Sequence, residues 1–219
     1  MASRRGGCNT CPVPGGADDA VVPDDELTAE DRAALGWAVS SDNELTTGLV
    51  ERVRGGGPGV THGELAAISA QWQAAGRPPP ERHVHRTRLT FEDGTTVIGV
   101  SFVADDPYAR DEVPSFGLYT DERWSPPWPH AHVDWPDFGL PSSEESFRAA
   151  LEDVLERARG GEVVEIGCLG GHGRTGTALA CLAVLTGTPA SEAVAWIRAN
   201  YWPKAVEMHA QEALVAAFG

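Results

Sequence analysis

The chain is expected to fold as an α/β domain behind an N-terminal helical extension, and three observations carry that expectation. Two β-rich runs, residues 84–91 and 95–103, flank Asp93-Gly94, a dipeptide whose ready access to positive φ favours a two-strand hairpin. A short apolar run, residues 163–166, enters a glycine-rich turn and then an apolar helix from about Arg174 to Leu185, the pattern of a strand feeding a helix across a tight loop. From Leu27 to Gln73, ahead of these runs, the apolar spacing is helical.

In chain order, residues 1–25 are rich in Gly, Pro and Asp with little apolar periodicity, so a disordered arm is expected. Residues 26–80 form the helical extension. Leu35, Trp37 and Val39 mark a first helix and Leu45, Leu49 and Val53 a second. A third covers about 63–75, bracketed by the breakers Gly55-Gly56-Gly57-Pro58 and Arg77-Pro78-Pro79-Pro80. The α/β domain is placed at 81–219. Within it, short strands are expected at 116–119 and 130–133. Ser142-x-x-Glu145 reads as a capping box opening a helix, with Phe147, Leu151, Val154 and Leu155 on one face and Gly160-Gly161 at its end. Thr188-Pro189 starts another helix by the cap and first-turn proline rule, and residues 206–218 form the last.

Composition narrows the function. Against 32 Asp and Glu stand 17 Lys and Arg, giving a formal net charge of -15. That balance argues against nucleic acid and anionic membranes as partners. No apolar run approaches the ~20 residues of a membrane span, and no apolar stretch follows Arg4 and Arg5, so no signal peptide is read and a cytoplasmic address is expected. Of the four cysteines, Cys8 and Cys11 form a lone C-x-x-C in a Gly/Pro-rich tail without a second pair at zinc spacing. A thiol-redox role for them has little beyond that spacing in its favour. Cys181 lies in an apolar run and reads as a small buried side chain.

Cys168 is different. It opens Cys168-Leu169-Gly170-Gly171-His172-Gly173-Arg174-Thr175-Gly176, between the buried strand and the apolar helix. A tight turn there points successive backbone N–H groups inward as an anion nest, and the helix N-terminus adds partial positive charge. Gly170, Gly171 and Gly173 permit the φ values such a cradle needs. The same environment is expected to hold Cys168 as a thiolate near neutral pH. Arg174 supplies a planar fork for two phosphate oxygens, which a lysine does not match.

Cys-x5-Arg followed by Thr-Gly resembles the signature loop of the protein tyrosine phosphatases. The resemblance spans residues 80–219 and is dense from 130 onward. It implies a mixed β-sheet flanked by helices, Cys168 as nucleophile, Arg174 as phosphate ligand and Thr175 as the hydroxyl that stabilises the leaving thiolate. Leu169, Gly170, Gly171, His172, Gly173 and Arg174 would make the phosphate loop. The family usually places His immediately before the cysteine, where this chain has Gly167. His172 is one candidate to supply that cation; the other reading is that it merely occupies a variable position on the loop rim.

Asp134-Trp135-Pro136-Asp137-Phe138-Gly139 resembles the family's mobile Trp-Pro-Asp loop, which makes Asp137 the general acid and directs Asp134 elsewhere. On the last helix Glu207, Gln211, Leu214, Val215 and Phe218 share one side. Gln211, a polar residue on that face, resembles the glutamine with which smaller members hold the hydrolytic water. The function so implied is hydrolysis of phosphomonoesters through a cysteinyl-phosphate, with phosphotyrosine on a protein as the favoured substrate and dual specificity open. No metal and no cofactor are expected, and the oligomeric state is left open. The alternative is a catalytically weak phosphate-binding module, for which Gly167 and the helical extension speak.

Overall fold

The computed structural model describes residues 17–23, 26–40, 44–79, 83–120, 122–136 and 139–219. Cys8 and Cys11 lie outside them. The described residues fall into two compact units, one drawn from Met1–Val50 and Pro58–Glu81, the other from Glu51–Gly57 and Arg82–Gly219.

The first unit holds α1 (Ala29–Ser40), the start of α2 (Glu44–Arg54) and α3 (His62–Ala74). Thr61 opens α3 with a capping box that the sequence reading passed over: its hydroxyl accepts from the Glu64 N–H, and the Glu64 carboxylate accepts from the Thr61 N–H. Leu65, Ile68 and Trp72 form its buried face, with Ala34 and Ala38 of α1 also buried. Residues 20–22 lie along 60–62, where the Val22 N–H donates to the Val60 carbonyl at 2.9 Å.

The second unit is a five-stranded mixed sheet in the order β1-β2-β5-β3-β4. The strands are β1 (Arg86–Thr90), β2 (Thr96–Ser101), β3 (Phe116–Tyr119), β4 (His130–His132) and β5 (Val164–Cys168). Asp93-Gly94 makes the expected hairpin, Gly94 taking φ +84° and β1 pairing antiparallel with β2. The remaining pairings are parallel, so β5 runs down the middle, buried along its whole length, as a central parallel strand must be.

The helices are α4 (Glu144–Arg159), α5 (Gly173–Leu185), α6 (Ala190–Asn200) and α7 (His209–Ala216). α5 packs on β2 and β5 and is in turn touched by α4, α6 and α7. Phe147, Leu151, Ile166, Leu179, Leu182 and Ile197 make the main core between helices and sheet. Ile98, Val100, Phe102 and Tyr119 form a second cluster. No described helix is long and apolar enough to cross a membrane.

Three helix starts differ from the sequence expectation. Ser143, not Ser142, caps α4 by accepting from the Ser146 N–H, because the Ser142 N–H is already bonded to the Asp134 carbonyl. α6 begins after Pro189 without a side-chain cap, and the Thr188 hydroxyl is buried without a hydrogen bond. α7 starts at His209 and not at 206, since Val206 sits at φ +62°, a left-handed backbone unusual for a β-branched residue.

Candidate active site

The site forms at the carboxyl ends of the parallel strands, where an open α/β sheet leaves a crevice. β5 ends at Cys168, and α5 starts five residues later at Gly173. Between them the loop is fastened from outside. The Phe102 N–H donates to the Leu169 carbonyl at 2.9 Å and the Tyr201 hydroxyl to the Gly171 carbonyl at 2.7 Å. The Thr120 N–H donates to the Gly167 carbonyl at 3.1 Å. Gly171 takes φ +75° and turns its N–H onto the Cys168 Sγ at 3.1 Å. Gly173 lies against Glu207: a Cβ there would fall 2.3 Å from a carboxyl oxygen of that flexible side chain, which would have to swing aside.

Arg174 is buried at 5 % exposure, and its Nη1 donates to the carbonyls of Trp135 (3.0 Å) and Thr120 (3.3 Å). These two carbonyls, one just after β3 and one in the segment after β4, hold one edge of the guanidinium. Beside it opens a cavity of about 460 Å³ whose lining includes Thr120, Arg123, His132, Asp134, Trp135 and Arg174. Asp134, expected to be directed elsewhere, is thus part of the wall.

Asp137 and Phe138 lie outside the described residues. Their flanks are described: the Gly139 N–H donates to the Pro136 carbonyl at 3.0 Å. The Trp135 indole N–H donates to the Gly139 carbonyl at 2.7 Å. Gln211, 1 % exposed, donates its Nε2–H to the same carbonyl at 3.1 Å. Its Oε1 accepts from the Glu207 and Met208 N–H groups, so one amide caps α7 and touches the loop that carries Asp137.

Burial governs the charge state of Cys168. It pushes the thiol above the ordinary cysteine range, against the pull of the Thr175 hydroxyl and N–H, the Arg174 charge and the Gly171 N–H. Burial thus works against the resting thiolate that the sequence leads one to expect, while the loop donors work for it. The Thr175 hydroxyl is fully buried without a well-formed hydrogen bond, leaving its proton available to the sulfur.

His172 does not supply the missing cation. Burial, with the nearby His85, His83 and Lys204, pushes its pKa down to about 4, so the ring is neutral at physiological pH. Its Nε2 is 2.7 Å from the His85 Nε2, and its ring stacks on Trp202 at 5.4 Å. Gly167 has a packing reason. A Cβ there would come within 2.7 Å of Val100 Cγ2 and 2.8 Å of Phe102 Cε2, so the space a histidine would need is already filled. Among the described residues no group of three or more His, Cys, Asp or Glu is set to hold a metal.

Several residues that shape the loop escaped the sequence reading: His85, Thr120, Tyr201 and the carbonyl of Trp135. The unusual His83-Val84-His85 pair ahead of β1 was the one available signal. The carbonyls have none.

A family model described as a Swiss Army Knife protein, DSP-PTPase phosphatase domain, matches residues 138–216. Two uncharacterized proteins of Methanocaldococcus jannaschii are similar in sequence. One is 32 % identical over 105 residues, 43 % of this chain and 69 % of the relative. The other is 30 % identical over 118 residues, 49 % and 72 %. Among solved structures, a kinase associated phosphatase with its catalytic-site cysteine replaced by serine has the same fold at a TM-score of 0.52 and 15 % identity, over 63 % of this chain and 95 % of its own. Tk-PTP in its active form superposes at a TM-score of 0.49 with 29 % identity, over 59 % and 94 %.

Proposed function

Because this chain belongs to the protein tyrosine phosphatase superfamily, on its dual-specificity-like side, and is a phosphatase, we propose that it hydrolyses phosphomonoesters on protein through a cysteinyl-phosphate, phosphotyrosine being the favoured substrate. One observation carries the reading: Cys168 sits at a strand end with the Gly171 N–H on its sulfur, in the loop that leads within five intervening residues to the buried guanidinium of Arg174.

In this mechanism the loop amides and Arg174 hold the non-bridging phosphate oxygens, Cys168 passes its thiol proton to the incoming phosphate dianion, and the resulting thiolate attacks phosphorus in line. The P–O bond to the leaving group breaks as the S–P bond forms, and Asp137 protonates the departing oxygen. Thr175 donates to the sulfur when it leaves again. Water, held by Gln211 and deprotonated by Asp137, cleaves the S–P bond and releases phosphate. Gln211 supports this assignment by its bond to the Gly139 carbonyl, within two residues of Asp137. For substrate class, the cavity beside Arg174 has ample room for an aryl ring, since a cavity of ~150 Å³ already holds benzene. The second reading, a catalytically weak phosphate-binding module, is favoured by one observation, the burial that raises the Cys168 pKa.

The test is turnover of an aryl phosphate and of phosphotyrosine and phosphoserine peptides, without metal, by the wild type beside Cys168→Ser and Asp137→Ala. Chelator-resistant, vanadate-sensitive turnover lost with Cys168 is expected, with phosphotyrosine peptide the better substrate. Retained activity in Cys168→Ser would refute the cysteinyl-phosphate. Tight vanadate binding without turnover would favour the binding module.

A further inference from the structure

The phosphate loop is buttressed by residues outside its own motif, among them His85. His85 lies just ahead of β1 and is buried at 7 % exposure. Its main chain is tied to the end of β2: the His85 N–H donates to the Ser101 Oγ at 2.8 Å, and the Ser101 N–H returns to the His85 carbonyl at 3.0 Å. Ser101 is in turn the β-sheet partner of Cys168. The imidazole is thereby carried on the strand end beside the thiol.

Around that ring the fit is close. Tyr201 lies against it at 5.3 Å and Trp202 edge-on at 4.9 Å. A Cβ on Gly171 would lie 3.0 Å from the His85 Cδ2, so ring and loop backbone are in contact at the residue whose N–H meets the sulfur. The His85 Nε2 then meets the His172 Nε2 at 2.7 Å, a distance that requires one proton between two neutral rings.

The direction of that bond follows from the other side of His172. Its Nδ1 is 3.9 Å from a Glu207 carboxyl oxygen, where an N–H is favourable and a lone pair is not. A His172 proton on Nδ1 suits that carboxyl oxygen, which leaves its Nε2 to accept and the His85 Nε2–H to donate. Each ring carries a pKa near 4, lowered chiefly by burial, in keeping with two neutral partners. The ionisable groups around the pair are His83, Lys204, Glu207 and Tyr201.

We infer that His85 is a positioning residue for phosphate binding: its Nε2–H and ring face hold His172 and Gly171 so that the loop N–H groups stay turned onto the anion. It does from β1 what a side chain at position 167 cannot do, since Val100 and Phe102 fill that space. The inference rests on the reading of residues 168–174 as the phosphate loop.

The experiment compares wild type, His85→Phe and His85→Gln for vanadate affinity, for kcat and KM on an aryl phosphate, and for Tm. His85→Phe keeps a ring and removes the donor. It is expected to weaken vanadate binding and lower kcat/KM about tenfold, the worth of one buried hydrogen bond, with Tm little changed. His85→Gln, which restores a donor, is expected to recover most of both. Vanadate affinity and kcat/KM equal to wild type in His85→Phe would overturn the inference, as would a loss that only tracks Tm and is not recovered by glutamine. Nitrogen NMR of the wild type gives an independent check, expecting His172 protonated at Nδ1; protonation at Nε2 instead would overturn the proposed donor. A wild type that binds vanadate without turnover would count against the proposed mechanism, while weakened vanadate binding in His85→Phe would still support the inference.

Discussion

β5 carries two buried polar side chains three residues apart, Glu165 and Cys168, and the protein treats them in opposite ways. Glu165 is fully answered within the fold. Arg110 grips both its oxygens, Nε at 2.9 Å and Nη2 at 3.0 Å, and the Tyr119 hydroxyl donates to it at 2.7 Å. Tyr119 in turn accepts from the Trp128 indole N–H at 2.7 Å, and burial first, then Glu165, pushes its own pKa up. Cys168 has donors around it that do not offset its burial. A buried group with its charge met by a fixed partner is architecture; one held short of charge balance, beside an arginine and inward N–H groups, is prepared for an incoming anion.

Breaking each centre should therefore register in different measurements. Cys168→Ser is expected to reduce turnover at least about a thousandfold, as loss of a covalent nucleophile does, with an unfolding midpoint close to wild type. Equal loss of stability and activity would dissolve the contrast. Glu165→Ala should do the reverse, costing about 3–5 kcal/mol in urea unfolding because Arg110 is left buried without its carboxylate. A cost under ~1 kcal/mol would mean that the pair is solvated or replaceable.

Gly167→Ala tests the strand between the two centres. Its methyl group would press on Val100 and Phe102, and overpacking of this kind costs about 1–3 kcal/mol. An unchanged midpoint would show that Phe102 can move aside.

The smallest effect concerns pH. Because burial raises the Cys168 pKa, iodoacetamide should modify the thiol about tenfold faster per pH unit up to and beyond the ordinary cysteine range. The sign for stability follows: a raised folded pKa favours folding below the unfolded thiol's pKa and loses that contribution as pH climbs through the folded value. An alkylation rate already level below pH 7 would show that the donors win over burial.

How much was legible in advance depended on the range of the cause. Asp93-Gly94 marked its hairpin because the turn is written in two adjacent residues. Cys168, the loop glycines and Arg174 were legible because an anion cradle needs a nucleophile, small residues and a fork within one turn of chain. The cap of α4 shifted by one residue because Asp134, from a different segment, competes for the Ser142 N–H. α7 started late because Val206 adopts a left-handed backbone, while Arg198 bonds the carbonyls on either side of that peptide. The lowered pKa of His172 comes first from its burial and then from His85 and His83, nearly ninety residues upstream in the sequence.

What the sequence by itself determined is the local order: an α/β succession of elements and a glycine-rich loop that joins a buried strand to a helix and carries Cys168 and Arg174. What the tertiary structure decided is the electrostatic state of those parts. Whether Cys168 rests as thiol or thiolate, whether His172 carries charge and why position 167 must be glycine all depend on burial and on side chains from other strands. Desolvation and close packing act through space, so residues far apart in the chain set the properties of a loop only seven residues long.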